Sequence, residues 1–319
     1  GIRFLTMGAP VTAVGMYERA IELARIHDLP EKLVSGLNAL ATIHVNRDLE
    51  AALACGREGM AVGRRAGVVT LTDFVTFNYW LALWTAGRLG EARAILDQLR
   101  ESAVDPAIRL SLPALGMMLA ELDGTEATDG PPDTTSDNVS DLAWLAHDSM
   151  LRARAAGDRA RAAAFAEECL EHVLTAAGID DDFMHLWPPM VRAALEADDV
   201  PLAERLLAPV EEAAPGTVPA SVAALLPLLR GTTRAVRGDE PALVETELRE
   251  SVAALDAFGA VAFRARAQEQ LATHLAAHGR AAEAEELFEL ARTTYAEIGA
   301  DGWLASLDTA RVVALAGGH

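Results

Sequence analysis

Apolar positions along this chain recur every three or four residues, and each run stops at a Gly, Asp or Pro signal before the next begins. The clearest unit is VAFRARAQEQLATHLAAHGRAAEAEELFELARTTYAEIGADGWL, residues 261–304. Leu271, Ala272 and Leu275 share one face of a first helix, Gly279 interrupts it, and Ala284, Phe288 and Ala291 recur at helical spacing on a second. The small residues let the two helices approach closely while the large ones fill the groove beside them. No run of β-branched residues alternates as a half-buried strand requires, so the pattern predicts an all-α chain.

The remaining segments read as weaker copies of that hairpin. Helices are predicted over 11–28, from Pro30, over LEAALACGREGMAVGRRAG, over 71–86 and from Leu89; Asp105-Pro106 reads as an N-cap followed by proline at the first helical position. After Gly124 the pattern lapses into GTEATDGPPDTTSDNVSD, residues 124–141, a Gly/Pro/Thr/Asp stretch with nothing to bury, taken as a loop in place of a helix. Hairpins resume with DLAWLAHDSM, and a last helix without a mate starts at Asp301. The chain thus divides into a helical block 1–123, an acidic loop 124–141, and a second block 142–319 closed by that helix. It opens without methionine and partway through a repeat, which predicts a missing upstream mate.

Turn signals at 47, 87, 124, 157, 198, 238 and 279 step by 40, 37, 33, 41, 40 and 41 residues. The Leu-Ala-x-x-Leu, Gly, Ala-x-x-x-Phe-x-x-Ala order resembles the tetratricopeptide pattern, whose strict period is about 34 residues. Longer helices in the same scheme account for the longer steps, and the register of glycine turn and alanine seam separates it from HEAT repeats of similar period. The resemblance implies a right-handed α-α superhelix of about seven to eight hairpins, each about 40 residues long.

Composition narrows the function. Alanine abounds and aromatics make up 5% of the chain, which suits closely packed helices. A formal charge of -20 repels a phosphate backbone, so the chain is not expected to bind nucleic acid directly. The longest apolar run, Val222 to Leu229, is interrupted by Pro227 and too short for a bilayer, so no membrane partner is expected. Lys32 is the only lysine, and Cys55 and Cys169 are read as free thiols. No P-loop, GxSxG elbow or dinucleotide loop occurs, and neither cysteine has a placed base, so neither catalysis nor a cofactor is expected.

Two constellations remain. Phe77, Trp80 and Trp84 form one stripe of an aromatic-rich helix, and Trp144, His147, His185 and Trp187 fall on other first helices. Packing between hairpins is the commoner fate of such stripes. The functional alternative is a wall on the concave face, where a small effector or a protein partner would bind. Prolines 113, 188, 189 and 227 either start helices late or kink first helices there, each freeing a carbonyl four residues back. The pairs Glu168/His172 and Asp182/His185 have donors suited to zinc but no metal-site spacing, so a metal is not expected; an enzyme centred on His172 and His185 stays as the rival reading, beside a scaffold with several partner surfaces.

A wider resemblance rests on LLRGTTRAVRGDEPALVETELRESVAALDAFG, AHGRAAEAEELFELARTTYAEIGADGWLA and LWPPMVRAALEADDVPLAERLLAPVE. These look like the C-terminal helical-repeat region of large actinobacterial regulators: LuxR-type activators with an ATPase domain, related to the maltose-regulator family, and ATPase-containing adenylate/guanylate cyclases. The likeness covers roughly the last 130 residues well. It implies a cytoplasmic, non-catalytic sensory region that biases an attached ATPase or cyclase. Two departures count: the chain has no P-loop, and no basic helix-turn-helix follows Trp303.

Overall fold

The structure is a computed structural model that describes residues 10–132, 135–180, 182–214 and 216–316. Among the described residues there are fifteen helices and no strand. α1 is Pro10–Ile26, followed by the pair α2 Pro30–Val45 and α3 Leu49–Ala66 and the pair α4 Val69–Thr85 and α5 Leu89–Ser102. α6, Pro106–Asp123, runs into the irregular segment beginning at Gly124, after which come α7 Val139–Ala155 with α8 Arg159–Ala176 and α9 Phe183–Glu196 with α10 Val200–Glu211. α11 Ala220–Arg237 pairs with α12 Pro241–Phe258, and α13 Val261–Ala277 with α14 Ala281–Ile298; α15 is Asp301–Ala316. Successive helices pack on one another throughout, the arrangement expected of a helical repeat.

Local chemistry sets the helix ends. Asp48, Asp158 and Asp199 each accept a backbone N–H two residues into the helix that follows, and the Asp105 carboxylate accepts from the Ala107 and Ile108 N–H groups. Pro30 and Pro106 occupy first helical positions, where the missing N–H costs nothing. Prolines 113, 188, 189 and 227 lie inside helices, so the late-start alternative does not hold for them.

The array does not stay open. α15 packs on α6, and α13 packs on α4, so the last helices meet the first third of the chain. The N-terminus of α11 hooks onto the turn after α2: Ser221 N–H donates to the Asn46 carbonyl (3.1 Å), and the Ser221 hydroxyl bonds Asn46 Oδ1 (3.0 Å). Arg47 pairs with Asp180 at 2.9 Å in the same region. The closest approach is backbone on backbone, where Gly124 ends α6 and Gly302 begins α15. A Cβ on Gly302 would lie 2.5 Å from Gly124 N and 2.8 Å from the Glu121 carbonyl oxygen. Glycine is required there because any side chain would occupy the space of the facing helix end.

Closure explains why α4 is apolar around its whole circumference. Every residue from Val75 to Thr85 is buried, as a helix must be when neighbours cover all its sides. Several of its polar groups are satisfied: Asn78 Nδ2 donates to Asn38 Oδ1 and Thr42 Oγ1 (3.0 Å each), and Asp73 Oδ2 accepts from the Val104 and Asp105 N–H groups, whereas the buried indole N–H groups of Trp80 and Trp84 have no partner among the described residues. One continuous apolar core consequently runs from Val34 to Leu307, with a smaller cluster between α1 and α2.

Candidate functional site

The residues singled out in the sequence occupy the centre of the closed array. Trp80 stacks on Trp84 at 6.4 Å between centroids, Trp84 meets Phe263 of α13 edge-on at 5.4 Å, and His185 lies 5.8 Å from Trp84. Phe77 packs edge-on against Trp144 at 5.5 Å, and Trp144 against His147 at 5.9 Å. Trp187 stands apart with Phe183, donating its indole N–H to the Leu206 carbonyl (2.7 Å). All seven are buried, four of them completely. They do not form an open concave wall, because the returning α13 and α15 cover the face that an extended solenoid would expose.

Burial governs the polar groups in this region. The Thr85 hydroxyl donates to the Leu81 carbonyl, so the 3.1 Å contact between Thr85 Oγ1 and His185 Nε2 assigns the ring proton to Nε2. His185 Nδ1 and both nitrogens of His147 have no partner among the described residues. Desolvation pushes both imidazoles down to about 3, so they are neutral at ordinary pH. Asp182 accepts from Trp144 Nε1 (2.9 Å), yet its burial raises the carboxyl to about 6.

Glu168 and His172 form a 3.7 Å pair on α8, whereas Asp182 and His185 have the separate partners just given. Among the described residues no group of three or more His, Cys, Asp or Glu side chains could hold a metal ion. Both cysteines are free; Cys169 is buried and its thiol donates to the Ala143 carbonyl, with burial raising its pKa. No described helix is long and apolar enough to cross a membrane.

Trp84 alone of the seven lines the cavity at the centre of the array. That cavity holds about 310 Å³ and is lined by α4, α6, α9, α11, α13 and α15, the first helices of successive pairs together with the two helices that close the ring. Pro188 and Pro189 form part of its wall. Its other walls are mostly apolar, with Phe263, Trp303, Leu122, Leu195 and Leu228 among them.

One side is charged. Arg154 of α7 reaches both Glu121 and Glu196 at 3.0 Å, and Arg192 pairs with Glu196 at 2.8 Å and with Glu121. Burial opposes ionisation of Glu121, but Arg154, Arg192 and Arg266 outweigh it and hold the carboxyl below its usual value. Arg266 is anchored to Glu269 at 2.7 Å and lies 5.6 Å over the Trp303 ring. Glu121, Arg192 and Glu196 also face a second cavity of about 790 Å³ between α6, α7 and the acidic segment, so this cluster is a shared wall. The segment is not freely solvated there. Thr125 and Glu126 line the second cavity, Arg100 pairs with Asp129, and Arg152 donates to the Asp129 and Gly130 carbonyls (3.1 Å each).

Glu121→Gln is expected to cost about 2 kcal/mol in denaturant unfolding, because it strips a counter-charge from the nearly buried Arg154; one quarter of the Glu121 side chain is exposed, which keeps the loss below that of a fully buried pair. A loss within about 0.5 kcal/mol would mean that solvent screens the cluster as it does a surface pair.

Sequence reasoning did not find Glu121, Arg154, Arg192, Glu196 or Arg266. Arg192 and Glu196 are four apart on one helix, a common surface motif, and only closure turns them inward. The double proline, three residues before Arg192, was the local signal available. No protein-family model matches this chain, and no curated protein resembles it closely enough to count as a relative.

Proposed function

We propose that this chain is a non-catalytic sensory module that takes a small-molecule effector in its central cavity. The observation that carries this reading is the cavity itself: it is bounded by first helices from both ends of the array and walled by three aromatic rings. A scaffold offers partners an open concave groove, and here α13 packs back onto α4 and α15 onto α6, with the aromatic residues of α4 buried beneath them.

On this reading the fold is a right-handed tetratricopeptide-like superhelix of seven to eight hairpins, and the effector acts by population shift. A ligand touching α4 and α6 on one side and α13 and α15 on the other favours the closed state by its differential affinity for it. The likeness to actinobacterial repeat regions makes an ATPase of a LuxR-type regulator, or a cyclase, the partner that reads the change. That part is tested by blotting the source cells, where a band far above 33.8 kDa is expected. A band at the chain's own mass would remove the attached domain but leave the cavity.

The cavity reading is tested by filling it. Thr232 lines it, is half-buried, and already donates its hydroxyl to the Leu228 carbonyl of its own helix. In a thermal-shift screen of metabolites with about ten to twenty non-hydrogen atoms, compounds that raise the melting temperature of the unaltered chain are expected to leave Thr232→Trp unmoved. Equal shifts in both proteins would place the ligand elsewhere.

A further inference from the structure

Much of the hydrogen-bonding capacity left over on the cavity wall is donor capacity, from arginine and from the unpartnered indole N–H groups of Trp84 and Trp303. Each oxygen of Glu121 and Glu196 already accepts from arginine: Glu121 from Arg154 and Arg192, Glu196 from the same two. These carboxylates have no strong claim on a ligand donor. The guanidinium groups are less fully used. Arg192 donates through Nε and Nη1, and Arg266 through Nη1 to Glu269 with a further contact to the Tyr295 hydroxyl, which leaves Nη2 of Arg192 and part of the Arg266 guanidinium without an acceptor among the described residues. Both side chains line the cavity, with Arg192 about one-third and Arg266 one-fifth exposed. Apart from Thr232 and Gln270, the rest of the wall is hydrocarbon and aromatic ring.

We propose that the cavity binds an amphipathic monocarboxylate, its carboxylate seated against Arg192 and Arg266 and its apolar body lying among Trp84, Phe263, Trp303 and Leu228. This rests on the central cavity being the effector site and names the class of ligand. A cation would meet two guanidinium groups and carboxylates already engaged by arginine. A polyol would leave most of its hydroxyls against apolar wall, at the cost of their lost hydration. A carboxylate instead supplies the acceptors that arginine prefers to take in pairs, and an apolar tail gains from leaving water. The electrostatics point the same way: burial, with Arg266 and Arg154 nearby, lowers the pKa of Arg192 despite Glu121 and Glu196, so another anion beside it is welcome. The volume of about 310 Å³ is at the lower end of small-molecule sites, which suits a ligand the size of octanoate.

The test compares octanoate, 1-octanol and octylamine by isothermal titration calorimetry on the unaltered chain, so that it does not depend on any variant folding. Octanoate is expected to bind about tenfold tighter than 1-octanol, and octylamine weaker than both, with Thr232→Trp abolishing all binding. Arg266→Gln is expected to bring octanoate and 1-octanol to equal affinity. If 1-octanol binds the unaltered chain as tightly as octanoate, or if octylamine binds best, the carboxylate assignment falls while the cavity reading stands. If octanoate binds with the expected preference but Thr232→Trp binds it equally well, the ligand sits elsewhere and both readings fail. If none of the three binds, the amphipathic class is wrong, and the metabolite screen decides separately whether the cavity is a site.

Discussion

Gly302→Val is expected to cost about 3 kcal/mol of stability, the upper end for overpacking a closed contact. The reason is geometric. The added Cβ would fall within 3 Å of Gly124 N, Gly124 Cα and the Glu121 carbonyl, all backbone atoms that cannot rotate away. Either α15 shifts off α6 or the chain distorts. Because Trp303 is the next residue and lines the cavity, the displacement is expected to red-shift tryptophan emission as well as lower the melting temperature. Gly90→Ala is the control: Gly90 is exposed near the start of α5 with nothing within 4 Å of its would-be Cβ, so alanine there should stabilise by up to about 1 kcal/mol. If Gly302→Val behaves like Gly90→Ala, the ring is not closed through this contact.

The second large effect is a sensitivity to acid carried by His147 and His185. Each has a folded pKa of about 3 against an ordinary 6.5, because burial disfavours the charged ring. Glu121 opposes the shift at His147, while Arg154 and His185 add to it. The depressed folded pKa means that the stability associated with each neutral ring is fully present above pH 6.5. It is lost as pH falls from 6.5 towards 3, since the unfolded chain binds a proton that the folded chain refuses. Between pH 7 and 5 each histidine is expected to remove about 2 kcal/mol. Asp182 works in the other direction. Its folded pKa of about 6 lies above the ordinary 3.8, so protonation returns about 1 kcal/mol over the same interval.

Because a chain of charge -20 also relaxes as its carboxylates protonate, the clean measurement is a difference between proteins. His147→Leu removes a ring with no hydrogen-bond partner and is expected to cost little at pH 7. Relative to the unaltered chain it should gain about 2 kcal/mol on going to pH 5 in urea titrations. Parallel pH profiles for the two proteins would mean that the ring reaches water or a partner.

Much of the architecture is legible in one dimension because helices are local. Spacing alone indicates that Leu271, Ala272 and Leu275 share a face, that Asp105 and Pro106 open α6, and that the chain turns at Gly87, Gly157, Gly238 and Gly279; each of these glycines has positive φ. The lapse after Gly124 was equally plain, since a stretch with so few apolar residues cannot hold a helix against a core. The aromatic richness of α4 was visible too, but its meaning was not. A stripe of Phe77, Trp80 and Trp84 reads the same whether it faces solvent, a ligand or a second layer of helices.

What decided between those cases was curvature, which accumulates from small rotations between neighbouring pairs and leaves no mark at any single position. Only when α13 and α15 return onto α4 and α6 does Trp84 meet Phe263, do Arg192 and Arg266 line one cavity, and does Glu121 gain three arginines from three helices. Those partners lie tens to hundreds of residues apart, while the periodicity that predicts helices correlates residues three or four apart. The amino-acid sequence by itself determined the helices, their ends and their pairing with the next in line; the tertiary structure alone decided which faces turn inward, because closure is a property of the whole array.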